Sequence, residues 1–187
     1  MTRIAINDIR KMRCAKCRRP AQIKLPHMPP YTRSCYCDVI EQRFKRHIKP
    51  YGLRSGDVIV CHDSLSMHLL KEVLSLPLDV RARRPPKKSI GTNLLVAERR
   101  FLDHEVADFM DHLLDGKTMP PQGFSPLACM SVEEARAYCR IRRLPTPDPG
   151  PELTLIDGMG KDHPSILYST YKMLCHLRKI GAISSSG

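Results

Sequence analysis

Residues 53–76 read LRSGDVIVCHDSLSMHLLKEVLSL. Gly56-Asp57 is a turn signal, and Val58–Cys61 is an unbroken apolar run, the pattern of a strand covered on both faces. Asp63 or Ser64 can cap a following helix that carries Leu65, Leu69, Val73 and Leu74 on one side. A buried strand, a short polar turn and a helix make the basic unit of an α/β protein. In such folds the turn is where nucleotide phosphates rest on a helix N-terminus. Here the turn is Cys61-His62-Asp63-Ser64 and contains no glycine. A phosphate needs close backbone approach, which a Cβ hinders, so a nucleotide site is weak on physical grounds alone and ATP is not expected. Cys61 sits where an electropositive turn can lower a thiol pKa, but a strand-end cysteine is more often simply buried.

Upstream, residues 14–37 read CAKCRRPAQIKLPHMPPYTRSCYC. Cys14 and Cys17 form C-x2-C, and Cys35 and Cys37 form a tighter C-x-C. Four soft ligands from two short turns fit a structural, tetrahedral zinc site, with His27 or a residue just downstream as an alternative to one of them. Between the two pairs a short strand is expected at 21–25, then a proline-stiffened loop. Residues 38–49 carry Val39, Ile40, Phe44 and Ile48 at helical spacing, and Pro50 with Tyr51-Gly52 ends that helix.

The formal net charge is +12, and the first fifty residues hold thirteen Lys/Arg against three Asp/Glu. That concentration points to a polyanion, nucleic acid first. Lys11, Arg13, Lys16, Arg18 and Arg19 flank the first cysteine pair, and Arg43, Lys45 and Arg46 line the following helix. Arg83 and Arg84 lie in a basic, proline-marked connector, 77–88. Trp is absent and aromatics are 5%, which argues against a surface of stacked aromatics. No apolar run approaches the roughly 20 residues needed to span a bilayer, and the N-terminus lacks a secretory pattern. Eight cysteines without secretion fit thiols and metal ligands in a reducing cytoplasm.

Downstream, 94–114 reads as one long amphipathic helix capped by Thr92 or Asn93. Phe124–Met130 reads as an extended lead-in, and Ser131 with Glu134 forms a capping box opening a helix to about Arg143. A last helix is entered through Pro164 and closed at Gly181. The expected architecture is α/β. A basic zinc-binding module with its helix occupies 1–50, a reduced Rossmann-type domain 51–181 and a flexible tail 182–187.

The order of these features resembles the tRNA thiolases of the PP-loop ATP pyrophosphatase superfamily. Their S-G-G-x-D-S loop is matched by Cys61-His62-Asp63-Ser64-Leu65-Ser66, without either glycine. The resemblance is closer to the cytoplasmic tRNA 2-thiolation proteins of the subunit-two type, the non-catalytic partners in which that loop is degenerate. DHPSILYSTYKMLCHL (162–177) is similar to their final helix, Phe124–Tyr138 to their F-x-P-L…EEA-x-x-Y segment, and the two cysteine pairs to theirs.

The resemblance implies an adenine nucleotide alpha hydrolase-like, PP-loop domain in shortened form. It implies a role in 2-thiolation of the wobble uridine (U34) of tRNA, as heterodimer with a catalytic thiolase, with sulfur arriving on a ubiquitin-like carrier. The basic residues named above would then contact tRNA. The interval between Leu78 and Ser89 is shorter than in the family, and the central catalytic cysteines belong there. An accessory subunit is therefore expected rather than an autonomous enzyme. Two alternatives remain: a diverged ATP-dependent tRNA sulfurtransferase, and a zinc-finger nucleic-acid binder with no role in modification.

Overall fold

A computed structural model describes residues 11–82, 94–115, 123–147 and 164–179. Arg83, Arg84, the tail and the linker around Pro149 lie outside these residues. Among the described residues three short strands form a parallel sheet: β1 (Val58–Val60), β2 (Asp79–Arg81) and β3 (Leu94–Val96), in the order β2-β1-β3. Val58 pairs with Asp79 on one side and Leu94 on the other. The central strand is buried along its whole length, as its apolar run requires. Gly56 precedes it with φ +86°, a left-handed turn conformation that a Cβ disfavours.

Among the described residues there are five α-helices: α1 (Arg33–Ile48), α2 (Ser64–His68, running into a π-helical turn, Leu69–Val73), α3 (Leu102–Asp115), α4 (Val132–Arg142) and α5 (Pro164–Lys179). One core joins Met28, Tyr36, Ile40 and Phe44 of the N-terminal part to Ile59, Leu65 and Leu69 of the strand–helix unit, and to Leu127, Ala135 and Tyr138. A smaller cluster seats α5 on α3 through Leu102, Val106, Ala107 and Leu167.

Three expectations are corrected. Residues 94–96 are the edge strand β3, and only 102–115 are helical. The LLV run satisfies either period. The open edge of β1 decides it by offering unpaired backbone groups, and Ala97 N–H continues the ladder onto Val60 O at 2.8 Å. Of the extended segment expected at 124–130, only Phe124 is extended, in a parallel bridge to Ala97; residues 126–129 are a buried turn, closed by Ala128 N–H on Ser125 O (3.2 Å) and Met130 N–H on Leu127 O (3.1 Å). The strand expected at 21–25 amounts to one antiparallel bridge, Ile23 to Tyr31.

Candidate metal centre and basic surface

The segment 13–20 folds back on itself as a knuckle, with Arg13 bridged to Pro20. Cys14 N–H donates to Arg19 O (2.8 Å), Arg18 N–H to Cys14 O (3.0 Å) and Cys17 N–H to the Cys14 sulfur (3.5 Å). Arg18 takes φ +63°, a left-handed position uncommon for a side-chain-bearing residue. The loop 21–31 is tied against the knuckle by Ala15 N–H on Pro30 O at 2.9 Å. Thr32 then caps α1, its hydroxyl accepting from Cys35 N–H at 3.3 Å. Cys35 thus enters in the first turn of a helix.

This folding brings the sulfurs of Cys14, Cys17 and Cys35 within 4.8 Å of one another. Cys14 and Cys35 are buried and Cys17 is exposed. Burial by itself pushes the Cys14 thiol up, but the N–H groups of Cys17, Thr32 and Lys16 pull it down to about 6. At Cys35 the Thr32 hydroxyl lowers the thiol pKa, but burial and the neighbouring Cys17 and Cys14 leave it raised. The donor set is three soft ligands, one already inclined to ionise, as a thiophilic ion requires. A tetrahedral zinc–thiolate site with bonds of about 2.3 Å holds its sulfurs about 3.8 Å apart. The cluster fits that spacing with small side-chain adjustments.

Cys37 does not join this group. Two residues along a helix turn a side chain about 200° round the axis, which sends Cys37 into the core beside Arg142 while Cys35 faces the knuckle. C-x-C was read as a tight turn, and inside a helix that spacing separates the two thiols. His27, the alternative ligand, is also turned away. Its Nε2 stands 3.2 Å from Glu134 Oε1, out of line for a hydrogen bond.

Lys11, Arg13, Lys16, Arg18 and Arg19 are all exposed on or beside the knuckle, and Lys45 and Arg46 are exposed on α1. Lys16 pairs with Asp38 at 2.7 Å, and its ammonium is held charged by that bond and by the fields of Asp38, Cys35 and Cys14. Arg43 is different. Its Nη1 donates to both oxygens of Glu134 (2.9 and 3.0 Å), to Cys129 O (3.3 Å) and to Tyr168 Oη (3.0 Å). Tyr168 Oη donates to the same carboxylate and stacks on His27 at 4.9 Å. Glu134 is fully buried. Burial alone would raise its carboxyl; His27, Arg43, Tyr168 and the Ser131 N–H more than offset that and hold it below its ordinary 4.5. The S-x-x-E pattern identified Glu134 as a cap, and it is one. Its partners Arg43, His27 and Tyr168 lie 91, 107 and 34 residues away, beyond the reach of local pattern.

The Cys61–Ser64 turn leaves β1 at the C-terminal end, between the β1–β2 and β1–β3 pairings, where strand order reverses and α/β folds bind ligands. Asp63 caps α2 by accepting from Ser66 N–H at 2.6 Å. Cys61 is fully buried, and burial, then the charge of Asp63, pushes its thiol up to about 12. A thiol so protonated is a poor nucleophile at neutral pH. His62 and Ser64 are exposed beside it. Among the described residues no helix is long and apolar enough to cross a membrane.

No family model and no curated protein matches the chain. Among solved structures it is similar to the U34-tRNA thiolase NcsA from Methanococcus maripaludis, described with its 4Fe-4S cluster. The TM-score is 0.59, the identity 16%, and 87% of each chain is covered. The fold is therefore a mixed α/β fold with a small parallel sheet, similar to that of a tRNA thiolase.

Proposed function

We propose that this chain is a tRNA-binding, non-catalytic subunit for 2-thiolation of the wobble uridine, working in the cytoplasm beside a catalytic thiolase as a heterodimer. On this reading the degenerate PP-loop domain docks on the partner, and the partner receives sulfur from a ubiquitin-like carrier. The observation that carries the reading is the pairing of a thiolase-like fold with an exposed basic knuckle. Lys11, Arg13, Lys16, Arg18, Arg19, Lys45 and Arg46 would meet tRNA phosphates, with Arg83 and Arg84 as further candidates. Arg43 is withdrawn from that set by its bonds to Glu134.

The accessory role is supported at the β1–α2 turn. The Asp63 carboxylate already satisfies the helix N-terminus and sets a negative charge where a triphosphate would need donors. All eight cysteines are free thiols, in keeping with a reducing compartment.

The three-cysteine site would hold a single structural zinc ion. Sulfurs within 4.8 Å of one another suit one ion; a four-iron cluster is a wider body and spreads its cysteine ligands. When bound, the ion would pin the knuckle to the N-terminus of α1 and fix the basic side chains in one array. A diverged ATP-dependent sulfurtransferase is the second reading, favoured by the position of the turn at the switch point of the sheet.

The test is addition of the purified chain to tRNA and the catalytic thiolase from the same cells. Tighter tRNA binding, steeply weakened by salt, and faster thiolation are expected. If neither changes, the accessory role is lost. Pyrophosphate exchange into ATP by the isolated chain with tRNA would favour the second reading.

A further inference from the structure

We propose that Asp38 is the fourth ligand of the site formed by Cys14, Cys17 and Cys35. The proposal rests on the reading above that this site takes one metal ion. A tetrahedral ion held by three thiolates has one position left, and the sequence pattern offered Cys37 and His27 for it. Both are committed elsewhere, Cys37 to the core and His27 to Glu134. Asp38 is three residues beyond Cys35 on α1, and that spacing places two side chains on the same face, about 5–6 Å apart at Cβ.

The carboxylate is also already directed at the knuckle. Its Oδ2 accepts from Lys16 Nζ at 2.7 Å, and Lys16 lies in the chain between Cys14 and Cys17. Asp38 therefore spans from the element that supplies one thiol to the loop that supplies the other two. Its side chain is 47% exposed, which leaves it a solvent-facing side on which to turn toward the ion. The other oxygen donor nearby, the Thr32 hydroxyl, is occupied in capping Cys35 N–H.

Carboxylate oxygen is an ordinary zinc ligand, at about 2.0–2.2 Å. Three thiolates and a carboxylate around a dication leave a net double negative charge. Lys16, Arg13, Arg18 and Arg19 are exposed on the same knuckle to balance it. Lys16 would then keep its contact with the carboxylate as a partner behind the ligand, the arrangement that commonly orients metal-bound carboxylates.

The experiment uses the full chain loaded anaerobically with cobalt(II) and titrated with zinc against a chelator. Wild-type protein should show thiolate-to-cobalt charge transfer at three-thiolate intensity. D38C should raise that intensity by about a third, to the four-thiolate level. D38A should weaken zinc binding about ten-fold or more, the scale on which even residues behind a ligand act. C37S should leave both readouts unchanged. Wild type that binds no single ion would overturn the metal site itself. Wild type that binds, with D38A equally tight and D38C still at three-thiolate intensity, would overturn the assignment of Asp38 alone. A loss of charge transfer in C37S would restore Cys37 in its place.

Discussion

Arg43 and the fully buried Glu134 form an ion pair whose members depend on one another. Removing one member of a buried ion pair strands the other without compensation, so Arg43→Ala should cost about 3–5 kcal/mol. Urea denaturation measures this, and tRNA affinity of the folded fraction should stay near wild type. The direction separates Arg43 from its exposed neighbours Lys45 and Arg46. The same site sets a pH dependence. Glu134 is held below its ordinary value in the folded state, so its stabilisation is complete above about pH 4.5 and is lost as pH falls through the lower folded value. Thermal midpoints between pH 6 and pH 3 should fall more steeply for the wild type than for Glu134→Gln. At this scale the sequence was legible where chemistry is local. Cys14 and Cys17 are read from their spacing, and Asp63 and Ser131 from theirs. Cys37 was not legible, because C-x-C means a turn in a loop and opposite faces in a helix. Nothing near residue 35 announces that α1 begins at Arg33 rather than 38.

At the scale of elements, the helix caps should act as independent units. Ser131→Ala removes the hydroxyl from Glu134 N–H and should lower stability by about 1 kcal/mol; Asp63→Ala should do the same at α2. Neither change touches the basic knuckle, so tRNA binding should survive both. Helix α1 is where element and function meet. Its inner face carries Tyr36, Ile40, Phe44 and Ile48 into the core, and its outer face shows Lys45 and Arg46. Reversing both charges with K45E and R46E should reduce the slope of log affinity against log salt by about 1 per lost phosphate contact. It should leave the thermal midpoint nearly unchanged. Helices with one apolar stripe and a cap were readable in advance. Short strands were less so: β3 has three residues, and its identity comes from the open edge of β1 that it must satisfy.

At the scale of the whole molecule, the N-terminal part and the sheet share one hydrophobic core, through Met28, Tyr36 and Phe44 on one side and Ile59, Cys61 and Leu69 on the other. An ion bound at the knuckle, as proposed, would therefore act on the entire fold. Stripping it with a chelator, or replacing Cys14 by Ser, should move a single cooperative melting transition downward. Two separate transitions would mean that the knuckle melts alone. The parallel α/β layout was foreseeable from the strand–turn–helix unit. The fusion of the basic part with that layout was not, since it depends on contacts between residues about a hundred positions apart.

Those separations bear on how the chain is made. Tyr36 donates to Glu134 O across 98 residues, and Arg43 reaches Tyr168 across 125. Translation delivers a chain from its N-terminus at about 5–20 residues per second, so α1 must wait several seconds for both partners. During that interval Arg43 lacks the Glu134 carboxylate, and the part of the inner face of α1 that packs on α4 has no cover. A nascent chain arrested before residue 134 should accordingly be captured by chaperones that bind exposed apolar helices. The full 187-residue chain, once off the ribosome, should be released.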